Sequence, residues 1–510
     1  MNNHQPDQIS SLACAQALID HVHPPDWTNP DPADRYHLVI IGGGPAGLAA
    51  ATEAVAAGGR VALVEKNLLA GNRLRCGIPS KGVIRAGRAI RDARNAAEFG
   101  VINGERLTVD FATALERMHQ VRTRISTNDS ARHLRDDLGV DVYFGAARFS
   151  GPDTLEVEGK TLSFHRALVC TGSVPRIPPI PGLEESGCLT HETVFSLAAC
   201  PERLTVIGGG PVGCELAQAF AYLGATVTLL NDEKRILPRE DPEISEFIHN
   251  SLERDGIIIY NETQIMEAGT SEGTSILDFE QPGPQRFTLA TDRILVATGV
   301  APNVGGLDLE AAGVAYDPVE GIGVDNRLRT SNPKIYAAGD VACNPFGFTH
   351  AAEAMARIVV ANALFGGRET LSGLVIPRCI HTTPEVAHVG LSRTEAEEQG
   401  IAIDSYTVPL AEVDRALLDG EEYGFLTAHV KKGTDHLLGA TIVARNAGEM
   451  INEFTLAITA GIGLSTLAAV IHPYPTQGEA VKKLAETCNR ARTAPGFGRV
   501  LAAWWRWKRN

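Results

Sequence analysis

Residues 38–48 read LVIIGGGPAGL, and about twenty residues later a second apolar run, ALVE, closes on Glu65. A short strand that stops at glycines, an alanine-rich helix and an acid ending the next strand make a dinucleotide-binding fingerprint. Each residue type has a reason. Gly42 permits the tight turn, Gly44 lets the backbone approach a pyrophosphate at a helix N-terminus, and Gly47 lets helix pack on strand. Glu65 is placed to accept from ribose hydroxyls. The device recurs at 204–215, LTVIGGGPVGCE, followed by ATVTLL, with Gly208, Gly210 and Gly213 in the same three roles. Two nucleotide sites in one chain imply two nucleotides and electron passage between them, a flavin reduced by a nicotinamide.

Composition narrows the classes. The chain has 510 residues and a net charge of −15. That length suits about three domains, and the acidity argues against a nucleic-acid binder, which needs a basic face. The N-terminus lacks signal-peptide regions and no apolar run is long enough to span a bilayer, so a cytoplasmic protein is expected. Nine cysteines without CxxC or zinc spacing fit a reducing compartment, most of them as core residues.

Residues 1–35 read as a surface extension. Helices are expected over 78–98 and 109–138, the latter with Arg122, Arg124, Arg132 and Arg135 on a solvated face. HRALVCTGSVP at 165–175 and RILVATGVAPN at 293–303 are twin crossovers closing the two nucleotide domains. KIYAAGDV at 334–341 leaves Asp340 at the carboxyl end of a buried strand, where ligands sit in open α/β sheets. From about 375 the pattern becomes α+β, with helices over 449–462 and 476–490. The chain ends in Trp504, Trp505 and Trp507 beside Arg506, Lys508 and Arg509, a basic aromatic tail that either contacts a membrane interface or docks on the protein.

This order of motifs resembles the pyridine nucleotide-disulfide oxidoreductase family over roughly 36–490. HPPDW at 23–27, HPYPTQ at 472–477 and the tryptophan-rich tail resemble its mercuric reductase-like and dihydrolipoyl dehydrogenase-like members. The resemblance implies an α/β chain with an FAD domain (36–172 and 300–372), an NAD(P) domain (173–299) and an α+β dimerisation domain (373–490), between the extension at 1–35 and the tail at 491–510. It implies FAD held by Gly42, Gly44, Gly47, Glu65, Thr171, Gly172 and Asp340. NAD(P)H falls to Gly208, Gly210, Gly213, Asn231 and Gly299, and the chain to a homodimer. It also implies that Lys81 of IPSK and Glu215 form an ion pair beside the flavin, where a cation stabilises charge on the reduced ring.

The sequence departs from that family at two places. The family's redox disulfide lies in GGxCLNxGCVPSK, whereas this chain reads AGNRLRCGIPSK at 70–81. With one deletion Arg73 takes the first cysteine's slot; without it the slots hold Asn72 and Gly77. Neither register gives two cysteines, so no dithiol relay can run from this segment. Cys76 is one residue short of the flavin-facing position, about 100° of helical rotation. A single-cysteine mechanism through a sulfenic acid needs the loop to re-register. Where the family has HxHPTxxE, this chain has Tyr474 in the histidine slot and keeps Glu479; His472 lies two residues earlier. Tyrosine is a poor base at neutral pH but can donate a hydrogen bond.

Coenzyme choice stays open. Asn231 occupies the slot of the selective acid, with Asp232 and Glu233 favouring NAD and Lys234 and Arg235 able to hold a 2′-phosphate. The reading is an FAD-dependent NAD(P)H oxidoreductase that passes electrons to a small acceptor: a quinone, oxygen, a metal ion or a second nicotinamide. The rivals are a single-cysteine disulfide or mercuric reductase using Cys76, and a membrane-associated flavin-binding scaffold.

Overall fold

The computed structural model describes residues 11–102, 104, 107–271, 273–283, 285–344, 346–492 and 504–508. These fall into two compact units, residues 1–234 with 255–374, and 235–254 with 375–510. Residues 235–254 thus interrupt the first unit and pack with the second.

The first unit holds one mixed sheet with a parallel core, one parallel sheet and smaller antiparallel ones. In one, Tyr36–Ile41 pairs in parallel with Val61–Glu65 on one side and Lys160–Val169 on the other, and Asp141–Phe144 extends the edge. Ile335–Ala337 joins Lys160–Val169 in parallel, although 165 residues lie between Val169 and Ile335. Tyr36–Ile41 and Val61–Glu65 are buried on both faces, which explains their near-continuous apolar composition (Tyr36–Ile41 has a single exposed residue). The second sheet orders Ile258–Tyr260, Thr226–Leu230, Arg203–Ile207, Arg293–Val296 and Leu189–Thr190, all parallel. Each fingerprint therefore lies at the carboxyl end of a central strand.

The N-terminal extension is more than a surface layer. Residues 11–22 form a helix whose Cys14, Leu18 and Val22 are buried, and Leu18 and Val22 join the core of the first sheet. Asn29 bonds the Phe144 main chain through both its carbonyl and its amide, and the Trp27 indole donates to the Val142 carbonyl. This stitching also explains two of the arginines expected on a solvated face. Arg132 Nη2 donates to both carboxylate oxygens of Asp26, and the Arg135 guanidinium lies over the Trp27 ring at 4.6 Å. Arg122 is half-buried, not solvated, and Arg124 is exposed. The single helix expected over 109–138 is three pieces, Phe111–Ser126, a short turn at Thr127–Asp129 and a wide turn at His133–Asp137. Ser130 breaks it by adopting extended backbone.

The second unit is an antiparallel sheet in the order Arg378–Ile380, Glu385–Gly390, Leu437–Ala444, Phe425–Lys431, Ile403–Pro409. Ala447–Thr459 and Glu479–Arg492 pack their apolar faces into its core. The helix Pro242–Arg254 belongs here: Phe247 stacks on Tyr423 and Arg254 lies over the same ring.

Candidate active site

The two fingerprints share one geometry, and their glycines divide into two kinds. Gly42 and Gly208 have φ of +110° and +111°, and a Cβ on either would stand 2.4 or 2.5 Å from the carbonyl oxygen of Cys170 or Ala297. At Gly47 and Gly213 a Cβ would meet the carbonyl oxygen of Gly42 or Gly208 at 2.0 or 1.9 Å. Those four are glycine because the chain itself leaves no room. Gly44 and Gly210 differ: each has ordinary negative φ and nothing within 4 Å of its missing Cβ. Both are N-caps of helices, Pro45–Ala56 and Pro211–Leu223, whose first turns have no side-chain cap. An open cradle at an uncapped helix N-terminus suits a pyrophosphate.

The strand ends differ. Glu65 is nearly buried, its Oε2 accepting from Gly43 N at 2.7 Å and its Oε1 from Asn67 N at 2.7 Å. This clamps the carboxylate against the glycine loop. Asn231 is buried too, but its amide donates to the Glu233 carbonyl and to Asn261 Oδ1 at 2.9 and 2.8 Å. It folds the loop. Asp232, beside it, lines a cavity of ≈ 210 Å³ together with Gly208, Leu230, Thr263 and Thr298. The sequence set Asp232 beside the slot as one of two acids favouring NAD, and the cavity wall takes that one.

The crossovers are tied to each other. Ser173–Pro175 and Val300–Pro302 form a two-stranded ribbon. The Thr171 hydroxyl donates to the Asn303 carbonyl at 2.8 Å, Asn303 N to the Gly172 carbonyl at 2.9 Å, and Arg176 N to the Gly299 carbonyl at 3.1 Å. Gly172 and Gly299 both have positive φ, as the turn out of each strand requires. Asp340 accepts from the Ser173 hydroxyl at 2.7 Å, so the acid at the end of Ile335–Ala337 is held against the first crossover. Ser173 and Asn303 went unnoticed in the sequence because only their partners' motifs are diagnostic.

Lys81 and Glu215 meet as expected. Lys81 Nζ donates to Glu215 Oε2 at 2.7 Å; the carboxylate is almost fully buried and the ammonium about half exposed. The pair joins the helix Ile78–Asn95 to the helix of the second fingerprint.

Cys76 sits in a wide π turn, Arg73–Gly77, that runs straight into the Ile78–Asn95 helix. The Ile78 amide donates to the Arg73 carbonyl, five residues back. Such a turn absorbs one residue, so the 100° rotation that regular α-helix would imply does not apply across it. The thiol donates to the Asn72 carbonyl at 3.2 Å. Burial first and the Glu192 carboxylate second push its pKa up to about 12, against the pull of Lys81. Arg73 is bound to Asp129 at 3.2 Å. Cys76 is also the only cysteine between Cys14 and Cys170 in the sequence.

In the second unit, Tyr474 is exposed and its hydroxyl donates to Asp414 Oδ2 at 2.9 Å, a bond that raises its pKa above the usual phenol range. His472 pairs with Glu453 at 3.1 Å, a partner the sequence did not suggest. Glu479 opens the helix Glu479–Arg492, and its Oε2 is buried with no hydrogen-bond partner among the described residues. In the tail, Trp504–Lys508 are helical and the three tryptophans exposed; Arg509 lies outside the described residues. Among the described residues no helix is long and apolar enough to cross a membrane.

Two fingerprints, two crossovers and a buried-acid ion pair on the second fingerprint's helix define a two-dinucleotide oxidoreductase. The comparisons agree. Residues 36–357 match the family described as pyridine nucleotide-disulphide oxidoreductase, and 376–485 match its dimerisation domain. Mercuric reductase of Streptomyces lividans is 36% identical over 458 residues, 89% of this chain and 96% of that protein. Dihydrolipoyl dehydrogenase of Thermus scotoductus is 33% identical over 459 residues, 89% of this chain and 98% of that protein. Among solved structures, the copper(II) complex of the HOCl-induced flavoprotein disulfide reductase RclA from Escherichia coli superposes with a TM-score of 0.79 at 29% identity, covering 89% of this chain and 100% of that one. The chain belongs to the pyridine nucleotide-disulfide oxidoreductase family, and it is an FAD-dependent enzyme that uses NAD(P)H.

Proposed function

We propose that this oxidoreductase discharges its reduced flavin directly onto a small acceptor, a quinone, oxygen, a metal ion or a second nicotinamide, without a dithiol relay. The observation that carries this reading is Cys76: no second cysteine accompanies it in the segment before Lys81, and its thiol is held protonated by burial. A relay needs a thiolate and a resolving partner. When bound, FAD takes a hydride from NAD(P)H and stores two electrons.

The chain's own residues do the rest. Gly44 and Gly210, with the amides of the helix turns they open, hold the two pyrophosphates. Glu65 fixes the first glycine loop and has lone pairs left for ribose; Asp340, held by Ser173, and the Thr171–Gly172 turn complete the flavin side. Lys81 presents a cation that Glu215 orients, and that charge favours the reduced flavin over the oxidised one. On the nicotinamide side, Gly299 shapes the second turn and Asn231 sets the loop. Asp232 repels a 2′-phosphate, which supports NADH as the better donor.

Tyr474 and Glu479 stand where the family keeps its thiol-protonating pair. A tyrosine whose single proton is donated to Asp414 argues against a base role. Exposed Leu456, Val470 and Ile471 in this unit support a homodimer through 375–490. Of the four acceptors, a metal ion gains weight from relatives named mercuric reductase. The test is a stopped-flow screen of oxidants against the anaerobically reduced holoenzyme. One of the four classes should reoxidise wild type and Cys76→Ser at equal rates, and reoxidation that disappears in Cys76→Ser defeats the reading.

A further inference from the structure

The hairpin that begins the C-terminal unit gathers a second chemical site. Arg378–Ile380 pairs antiparallel with Glu385–Gly390 in the register Cys379↔Ala387 and Ile380↔Val386. Alternation along the strands puts Cys379 and His381, two apart, on one face, and Glu385 joins them two residues before Ala387. The side chains converge: Cys379 Sγ lies 3.9 Å from His381 Nδ1, which lies 3.3 Å from Glu385 Oε1. One ligand atom from each lies within 4.8 Å of those of the other two.

The surroundings fix this arrangement. Glu385 is nearly buried, and its other oxygen accepts from Gly448 N at 3.1 Å, which leaves Oε1 directed at the histidine. A Cβ at Gly448 would come within 3.1 Å of Cys379 Sγ and 3.5 Å of Glu385 Oε2, so the start of the Ala447–Thr459 helix closes the cluster from behind. His381 keeps about a third of its side chain exposed, which opens the cluster to solvent on the other side.

We infer that Cys379, His381 and Glu385 form a site for a divalent transition metal of the zinc type. Thiolate, imidazole and carboxylate are the ligand set of tetrahedral zinc, and usual bond lengths require S···N of about 3.6 Å and N···O of about 3.3 Å. The second separation is already met, the first closes with a few tenths of an ångström of side-chain rotation, and the Cys379 sulfur, within 4.8 Å of the Glu385 oxygen, must turn toward it as well. Three protein ligands leave the fourth position, on the exposed side, to water. Binding is redox-neutral: the metal–sulfur bond forms as the Cys379 thiol proton leaves to solvent. The backbone amide on Glu385 is the kind of outer contact that orients a ligating carboxylate.

The experiment uses the FAD-loaded enzyme, stripped with EDTA and equilibrated by dialysis with micromolar zinc. Elemental analysis should find about one zinc per chain, and X-ray absorption at the zinc edge one sulfur at about 2.3 Å with nitrogen or oxygen neighbours. Cys379→Ser should keep its flavin and circular dichroism spectrum, lose the sulfur shell and bind zinc roughly tenfold or more weakly; His381→Asn should weaken binding similarly. Less than about a tenth of a zinc per wild-type chain, or unchanged affinity in Cys379→Ser, would overturn the site.

Discussion

The two glycine loops are near copies, yet the residues that end their second strands have opposite chemistry. In both loops the first and third glycines are forced by carbonyl oxygens at 1.9–2.5 Å from an absent Cβ. Beyond that the loops part. Glu65 spends both oxygens bracing its own loop, whereas Asn231 turns its amide inward and leaves Asp232 in the cavity. The pyrophosphate half of a nucleotide site is thus fixed by backbone sterics, and the selective half by one or two side chains that the backbone tolerates in several forms.

The sharpest break between the two kinds of glycine is by alanine substitution. Gly42→Ala or Gly208→Ala should cost on the order of 2–5 kcal/mol, from positive φ and overpacking together, read as a fall in the denaturation midpoint. Gly44→Ala should leave the apoprotein's stability within about 0.5 kcal/mol, since nothing in the chain opposes the methyl. Its FAD affinity should still fall tenfold or more, about 1.4 kcal/mol, measured by flavin fluorescence. An apoprotein of Gly44→Ala that unfolds as readily as Gly42→Ala would erase the distinction.

Lys81 and Glu215 join the Ile78–Asn95 helix to the helix that the second glycine loop opens. Lys81→Met should slow anaerobic flavin bleaching by NAD(P)H by about 10²-fold, the usual size for a lost donor at developing charge. Less than a threefold change would make the pair structural only.

What could be read beforehand was what local sterics dictates. Both loops, the crossovers and the placement of Asp340 follow from short apolar strands stopping at glycine, and the structure has them there. Lys81 and Glu215 are 134 residues apart, and only the family resemblance paired them. Arg132 and Arg135 are exposed, as a solvated face requires, but their contacts with Asp26 and Trp27, more than a hundred residues earlier, give no periodic signal. The π turn at 73–77 was invisible because a register slip in one segment looks like a deletion.

Smaller effects sharpen the strand-end contrast. Asp232→Asn should raise kcat/KM for NADPH relative to NADH several-fold, about 1 kcal/mol, with the FAD content unchanged. A fall in NADH turnover with no gain for NADPH would point instead to a loop role. For Cys76 the expected change in turnover on replacement by serine is none. Its raised pKa keeps the thiol neutral through the physiological range, so alkylation should climb with pH toward about 12. At neutral pH it should be much slower than for an ordinary exposed cysteine, followed by peptide mass spectrometry.

Electron counting tests the absence of a dithiol relay most directly. Holoenzyme titrated anaerobically with dithionite should reach full flavin reduction at about two electrons per FAD, identically in wild type and Cys76→Ser. An uptake of about four electrons in wild type, falling to two in Cys76→Ser, would contradict direct discharge from the flavin.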